Sequence, residues 1–193
     1  MKPIILASAS PRRRELLTQI GIEYEVIPSK KEEVITSNIP NIIVQELARQ
    51  KAEDIVLKEN REGVIVLGAD TIVALNGEVM GKPENEEDAY RMLSGLQNNV
   101  HQVYTGVSLS YLKNGEVFSN VFYEETKVFV YPMTEEEIRS YISSKDCMDK
   151  AGSYGIQGAF AAYIKGIEGD YNNVVGLPVG RVFQELKKLL ESI

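Results

Sequence analysis

Two Asn-Gly dipeptides constrain this chain more than any other feature. Asn76-Gly77 interrupts the run "TIVALNGEVM" (71–80), and Asn114-Gly115 separates two strand-like stretches, about 102–112 and 116–131. Asn-Gly between apolar runs is the strongest short-range hairpin signal, because both residues accept positive φ. Each dipeptide therefore fixes an antiparallel pair. Around them the pattern alternates between strand and helix. "PIILAS" (3–8) and "GVIVLGAD" (63–70) are near-continuous apolar runs, as expected of buried strands. "EYEVIPS" (23–29) alternates like a strand, and "AFAAYIKGI" (159–167) is strand-like. Helices are expected over 11–20, 41–59 and 86–95, from Thr134, where Thr134 and Glu137 form a capping box, and after Pro178. The sum is an α/β fold with a mixed, elongated sheet flanked by helices.

Length and charge narrow the function. The 193 residues suit one domain spanning 1–193, or two small lobes sharing a core. The formal net charge is -7, which argues against a general nucleic-acid-binding surface. No apolar run approaches the roughly 20 residues of a membrane span, so no membrane partner is expected. The start, "MKPIILASASPRRR", makes a poor secretory leader, its apolar part being about five residues against the usual ~7–15. A cytoplasmic location is therefore expected. Cys147 is the only cysteine and His101 the only histidine. That excludes an intrachain disulfide, a cysteine zinc site and a multi-histidine centre. Both residues are assigned to packing or surface.

In an acidic chain, positive charge is gathered at one turn, "ILASASPRRREL" (5–16). Ser10 suits the N-cap and Pro11 the first helical position. Arginines are badly placed there, because the helix N-terminus is already the positive end of its dipole. Arg12 and Arg13 lie four residues before Leu16 and Leu17, so they continue the buried stripe, while Arg14 points elsewhere. Strand, small-residue turn, helix start and two inward arginines form an anion site suited to phosphate. The alternative is a solvated charge run.

Four further motifs each have a functional and a bland reading. In "LGADTIV", Asp70 and Thr71 follow a buried strand, where α/β proteins place ligand-binding groups. A carboxylate there holds a metal or acts as a general base, or simply starts a turn. In "GKPEN", Lys82 between Gly81 and Pro83 is a fixed phosphate contact or an ordinary surface lysine. "KAGSYGIQG" (150–158) offers Gln157 for a base edge, or is a mobile surface loop. "KKEE" supplies Glu32 and Glu33, which can coordinate a divalent cation or stay solvated.

Taken in order, "LASASPRRREL", "EE" (32–33), "LARQKA" (47–52), "LGADTIV", "GKP", "YTGVSL" (104–109), "DKAGSYGIQG" (149–158) and "VVGLP" (174–178) resemble the Maf family of nucleoside triphosphate pyrophosphatases nearly end to end. The resemblance implies two lobes with a central cleft, similar to the inosine triphosphatases. It implies a cytoplasmic, usually homodimeric enzyme dependent on Mg2+ or Mn2+. Such an enzyme cleaves a nucleoside triphosphate to the monophosphate and pyrophosphate. It also implies a link with arrest of septum formation. Carried over, Asp70 matches the proton acceptor. Ser8, Arg12, Arg13, Glu33, Lys51 and Lys82 match positions lining the phosphate and metal site. The expected mechanism has Glu33 and Asp70 hold the metal, directly or through water. Arg12, Thr71 and Gln157 match positions associated with substrate choice, and their types resemble the dTTP/UTP branch rather than the 7-methyl-GTP branch. Asn172-Asn173 departs from the aromatic or small residues commoner there. Two other readings stand beside this one: a nucleotide-sensing module without turnover, and a phosphatase or kinase acting at the γ-phosphate. The absence of a Walker or kinase signature weighs against the last.

Overall fold

The computed structural model describes residues 4–192. In chain order the elements are β1 (Ile4–Leu6), α1 (Pro11–Gln19), β2 (Tyr24–Val26), α2 (Pro40–Glu59), β3 (Val66–Leu75), β4 (Glu78–Met80) and α3 (Glu86–Leu96). Then come β5 (Val100–Lys113), β6 (Glu116–Val130), α4 (Glu135–Ser143), β7 (Ile164–Glu168), α5 (Tyr171–Val175) and α6 (Val179–Ser192). Pro3 of the expected 3–8 strand lies outside the described residues.

Both Asn-Gly turns form. Asn76 and Gly77 have φ of 53° and 84°, Asn114 and Gly115 of 55° and 78°, the double positive φ of a tight hairpin. Their strands join one mixed sheet of seven, in the order β2-β1-β3-β5-β6-β7, with β4 also paired to β3. β1 runs parallel to β2 and β3, and every other pairing is antiparallel.

Alternation along β1 explains the layers. Ile4 and Leu6 join a large cluster with Leu16 and Leu17 of α1, Leu93 of α3, Ile138 of α4 and Val182 of α6. Ile5 faces the other way, onto Ala52, Ile55 and Val56 of α2. Thus α2 covers one face and the remaining long helices cover the other. Local signals start them. Pro40 opens α2, the Asn85 side chain accepts the Asp88 N–H at the start of α3, and the Thr134–Glu137 capping box is complete. Among the described residues, no helix is long and apolar enough to cross a membrane.

Three sequence expectations change. Residues 159–163 form a 3-10 turn, and the strand begins only at Ile164. A short helix, α5, stands where none was expected. Asp70 and Thr71 do not follow a strand; they sit in the middle of β3, because β5 pairs with β3 continuously from Val66 to Ala74.

Candidate active site

The other edge of β3 is what makes a site. β1 pairs there only with Val66 and Leu67, and β4 only with Val73, Ala74 and Leu75. From Gly68 to Ile72 this edge has no strand partner among the described residues, so the sheet has a gap with Asp70 at its floor. On one side the turn after β1 carries Ser8, and the first turn of α1 carries Arg12 and Arg13. The turn after β4 carries Lys82 on the other.

Arg13 fills the gap. Its Nε donates to the Gly176 carbonyl (2.9 Å), its Nη1 to Ser8 Oγ (3.0 Å) and the Ala69 carbonyl (2.9 Å), and its Nη2 to Thr71 Oγ1 (3.1 Å). A buried carbonyl at a bare strand edge needs a donor, and the guanidinium supplies it. Burial lowers the Arg13 pKa; the Asp70 charge opposes that shift and Arg12 adds to it. The inward aim expected from sequence is thus met by Arg13, which is buried, while Arg14 is exposed. Ser10 holds the N-cap position but its side chain makes no capping bond; its own N–H donates to Ser8 Oγ (3.3 Å).

On the α2 face, Lys51 Nζ donates to Asp70 Oδ1 (2.5 Å) and pairs with Glu33 Oε1 (2.9 Å). Two glycines bring these groups together. A Cβ on Gly68 would lie 2.2 Å from the Ala48 carbonyl oxygen, and one on Gly106 2.2 Å from that of Val44. Only bare backbone lets α2 lie this close to the sheet, and Gly106 is the cross-strand partner of Asp70. Glu32 is exposed and stays outside this cluster.

The far wall is less tightly held. Lys82 and Gln157 are exposed, and neither has a hydrogen-bonding or ionic partner among the described residues. The Gly152 N–H donates to the Gly81 carbonyl (3.0 Å), which ties the Lys82 turn to the glycine-rich loop. That loop is anchored rather than loose. Tyr154 is buried and its hydroxyl lies 2.7 Å from His101 Nε2. Arg12 is half-buried and faces Asp149 of the same loop, at 3.6 Å. Sequence reasoning gave no role to Asp149, Thr105, Gly68 or Gly106. Only the cross-strand register could have found the last three.

Glu33 and Asp70 both reach one cationic atom, Lys51 Nζ, so their carboxylates converge on a single point. No group of three or more His, Cys, Asp or Glu residues arranged to hold a metal occurs among the described residues. Two carboxylates without a third protein ligand fit Mg2+, which is usually held by one or two carboxylates plus water and substrate phosphates.

These features define an α/β protein whose broken sheet edge gathers a buried arginine, a half-buried Lys51–Asp70 pair and the exposed Glu33. The Maf family profile, that of Maf-like proteins, matches residues 3–189. A dTTP/UTP pyrophosphatase of Agathobacter rectalis is 57% identical, over 98% of this chain and 98% of that protein. A dTTP/UTP pyrophosphatase of Lachnoclostridium phytofermentans is 50% identical, over 97% and 95%. Among solved structures, the Staphylococcus aureus Ham1 protein is a looser likeness, with a TM-score of 0.48, 21% identity and coverage of 67% and 72%. The chain belongs to the Maf family.

Proposed function

We propose that this chain hydrolyses dTTP and UTP to the nucleoside monophosphate and pyrophosphate. The observation that carries the reading is the Glu33–Lys51–Asp70 cluster on the floor of a gap flanked by arginines. The relatives' activity agrees with it. Asp70 takes the proton of the water that attacks the α-phosphorus; its Oδ1 is held by Lys51, and its Oδ2 accepts no hydrogen bond from a described residue. Arg12 exchanges the long Asp149 contact for a phosphate oxygen. Lys82 approaches the polyphosphate from the opposite side, and Ser8 lines the turn. The charge of Arg12, Arg13 and Lys82 stabilises the negative charge that grows on leaving pyrophosphate. Gln157 faces the base. Glu33 and Asp70 would hold Mg2+ or Mn2+, which when bound neutralises phosphate charge. No protein nucleophile is needed.

On the family resemblance, the same reading makes the protein a cytoplasmic homodimer with a house-cleaning role linked to septum arrest. The test is incubation of pure protein with dTTP or UTP and Mg2+. Monophosphate plus pyrophosphate is expected. Diphosphate plus orthophosphate would indicate attack at the γ-phosphate, and intact nucleotide would indicate a sensor.

A further inference from the structure

Behind Arg13 lies a line of buried polar groups that the proposed reaction does not use. Thr71 and Thr105 are cross-strand partners on β3 and β5, and their hydroxyls are 2.9 Å apart. Thr105 Oγ1 donates to the Asn173 carbonyl of α5 (3.0 Å). The Asn173 amide nitrogen donates to the Val103 carbonyl (3.0 Å) and to Thr126 Oγ1 (3.0 Å), and Thr126 Oγ1 donates to the Asp170 carbonyl (2.9 Å). Thr105, Thr126 and Asn173 are each 0% exposed.

The direction of these bonds follows from their ends. A carbonyl can only accept, so the Asn173 carbonyl takes the single hydroxyl proton of Thr105. Thr105 Oγ1 can then only accept from Thr71. The Thr71 proton is thereby turned toward Thr105 at 2.9 Å, the nearer of its two acceptors, rather than toward the Gly176 carbonyl at 3.4 Å, and its lone pairs toward Arg13 Nη2, 3.1 Å away. A guanidinium, which only donates, meets an oxygen already oriented to accept. The same short helix ends at Gly176, whose carbonyl accepts from Arg13 Nε (2.9 Å). Two of the four Arg13 bonds therefore depend on where α5 sits, and Thr105 and Asn173 dock α5 on the sheet.

We infer that Thr105 and Asn173 are positioning residues for Arg13: through Thr71 and α5 they fix its guanidinium, and with it the one N–H that no oxygen of the described residues takes, for the polyphosphate. Thr71 then influences the substrate through Arg13, not by touching it. The inference rests on the proposed pyrophosphatase reading for its substrate.

Thr105→Val keeps shape and removes the hydroxyl, whereas Thr105→Ser keeps the hydroxyl and removes a methyl. Small misplacement of a positioning group costs rate steeply, so Thr105→Val should lower kcat for pyrophosphate release from dTTP by about tenfold or more, with KM within about twofold. Thr105→Ser should stay within about twofold of wild type on both. Wild-type kcat in Thr105→Val would overturn the inference. So would an equal loss in Thr105→Ser, which would make packing the cause, or a loss confined to KM. If wild type does not cleave dTTP, the pyrophosphatase reading fails instead. Calorimetric binding of inorganic pyrophosphate to the three proteins then decides: weaker binding by Thr105→Val alone supports the relay, equal binding overturns it, and no binding by wild type overturns both.

Discussion

A guanidinium carries five N–H donors, and Arg13 places four of them on oxygens from the β1 turn, β3 and the end of α5. Replacing it removes a donor from each, and leaves the buried Ala69 carbonyl at the bare strand edge without one. Arg13→Ala should cost about 3 kcal/mol of stability and most of the turnover, while Arg14→Ala stays within about 0.5 kcal/mol of wild type. Urea denaturation and steady-state assays of the two variants check this, and equal effects would return the arginine triplet to a solvated charge run. Asp70→Asn should fold normally and lose roughly 10²–10⁴ in rate; a fully active variant would remove Asp70 as the base. The contrast between Arg13 and Arg14 was legible in the sequence, because helical spacing from Leu17 assigns a face. That Arg13 would bond mostly to protein oxygens was not legible, since two of its four acceptors are backbone carbonyls, and a carbonyl at position 69 or 176 has no sequence signature. Lys51 was reachable only through the family resemblance. By itself it reads as one more lysine on a charged helix face.

At the scale of elements, the spacing between α2 and the sheet sets the Lys51–Asp70 contact. Gly68→Ala and Gly106→Ala would each push a methyl within 2.2 Å of an α2 carbonyl oxygen. Overpacking of this kind against backbone should cost about 3 kcal/mol, near the upper end for inserted methylenes. Because Lys51 travels with α2, turnover should fall further than the folded fraction does. Full specific activity in the folded part of either variant, measured beside its urea midpoint, would show that α2 does not set the pair. The hairpins, the capping box and the α2 boundaries were readable because each rests on local chemistry. The mid-strand position of Asp70 was not. Whether a strand continues past its parallel neighbour depends on pairing with β5, 34 residues away at Thr71–Thr105. The 3-10 turn at 159–163 escaped for a related reason. Phe160 at 0% exposure packs on Tyr141, Tyr154 and Tyr163, and that tertiary cluster overrides a locally strand-like sequence.

At the scale of the whole molecule, stability and function meet at His101. It is fully buried, with Nε2 on the Tyr154 hydroxyl and Nδ1 without a hydrogen-bond partner among the described residues, and burial lowers its pKa to about 4. The unfolded chain binds that proton near pH 6.5 and the folded protein does not, so the unfolded state binds more protons between these values. The stability linked to His101 is complete above about pH 6.5 and is lost as pH falls toward about 4, by about 3 kcal/mol in all. Wild type minus His101→Gln, followed by urea unfolding from pH 7.5 to 4.5, should show that slope; parallel profiles would contradict it. Since Tyr154 belongs to the glycine-rich loop, the acid side of this profile should also loosen the wall that carries Gln157.

The central claim is that the gap directs water onto the α-phosphorus of a nucleoside triphosphate. Hydrolysis of dTTP in 18O-labelled water, with both products analysed by mass spectrometry, tests it most directly. One 18O in the monophosphate and unlabelled pyrophosphate is the predicted result. Label in pyrophosphate, or in orthophosphate released beside the diphosphate, would contradict it.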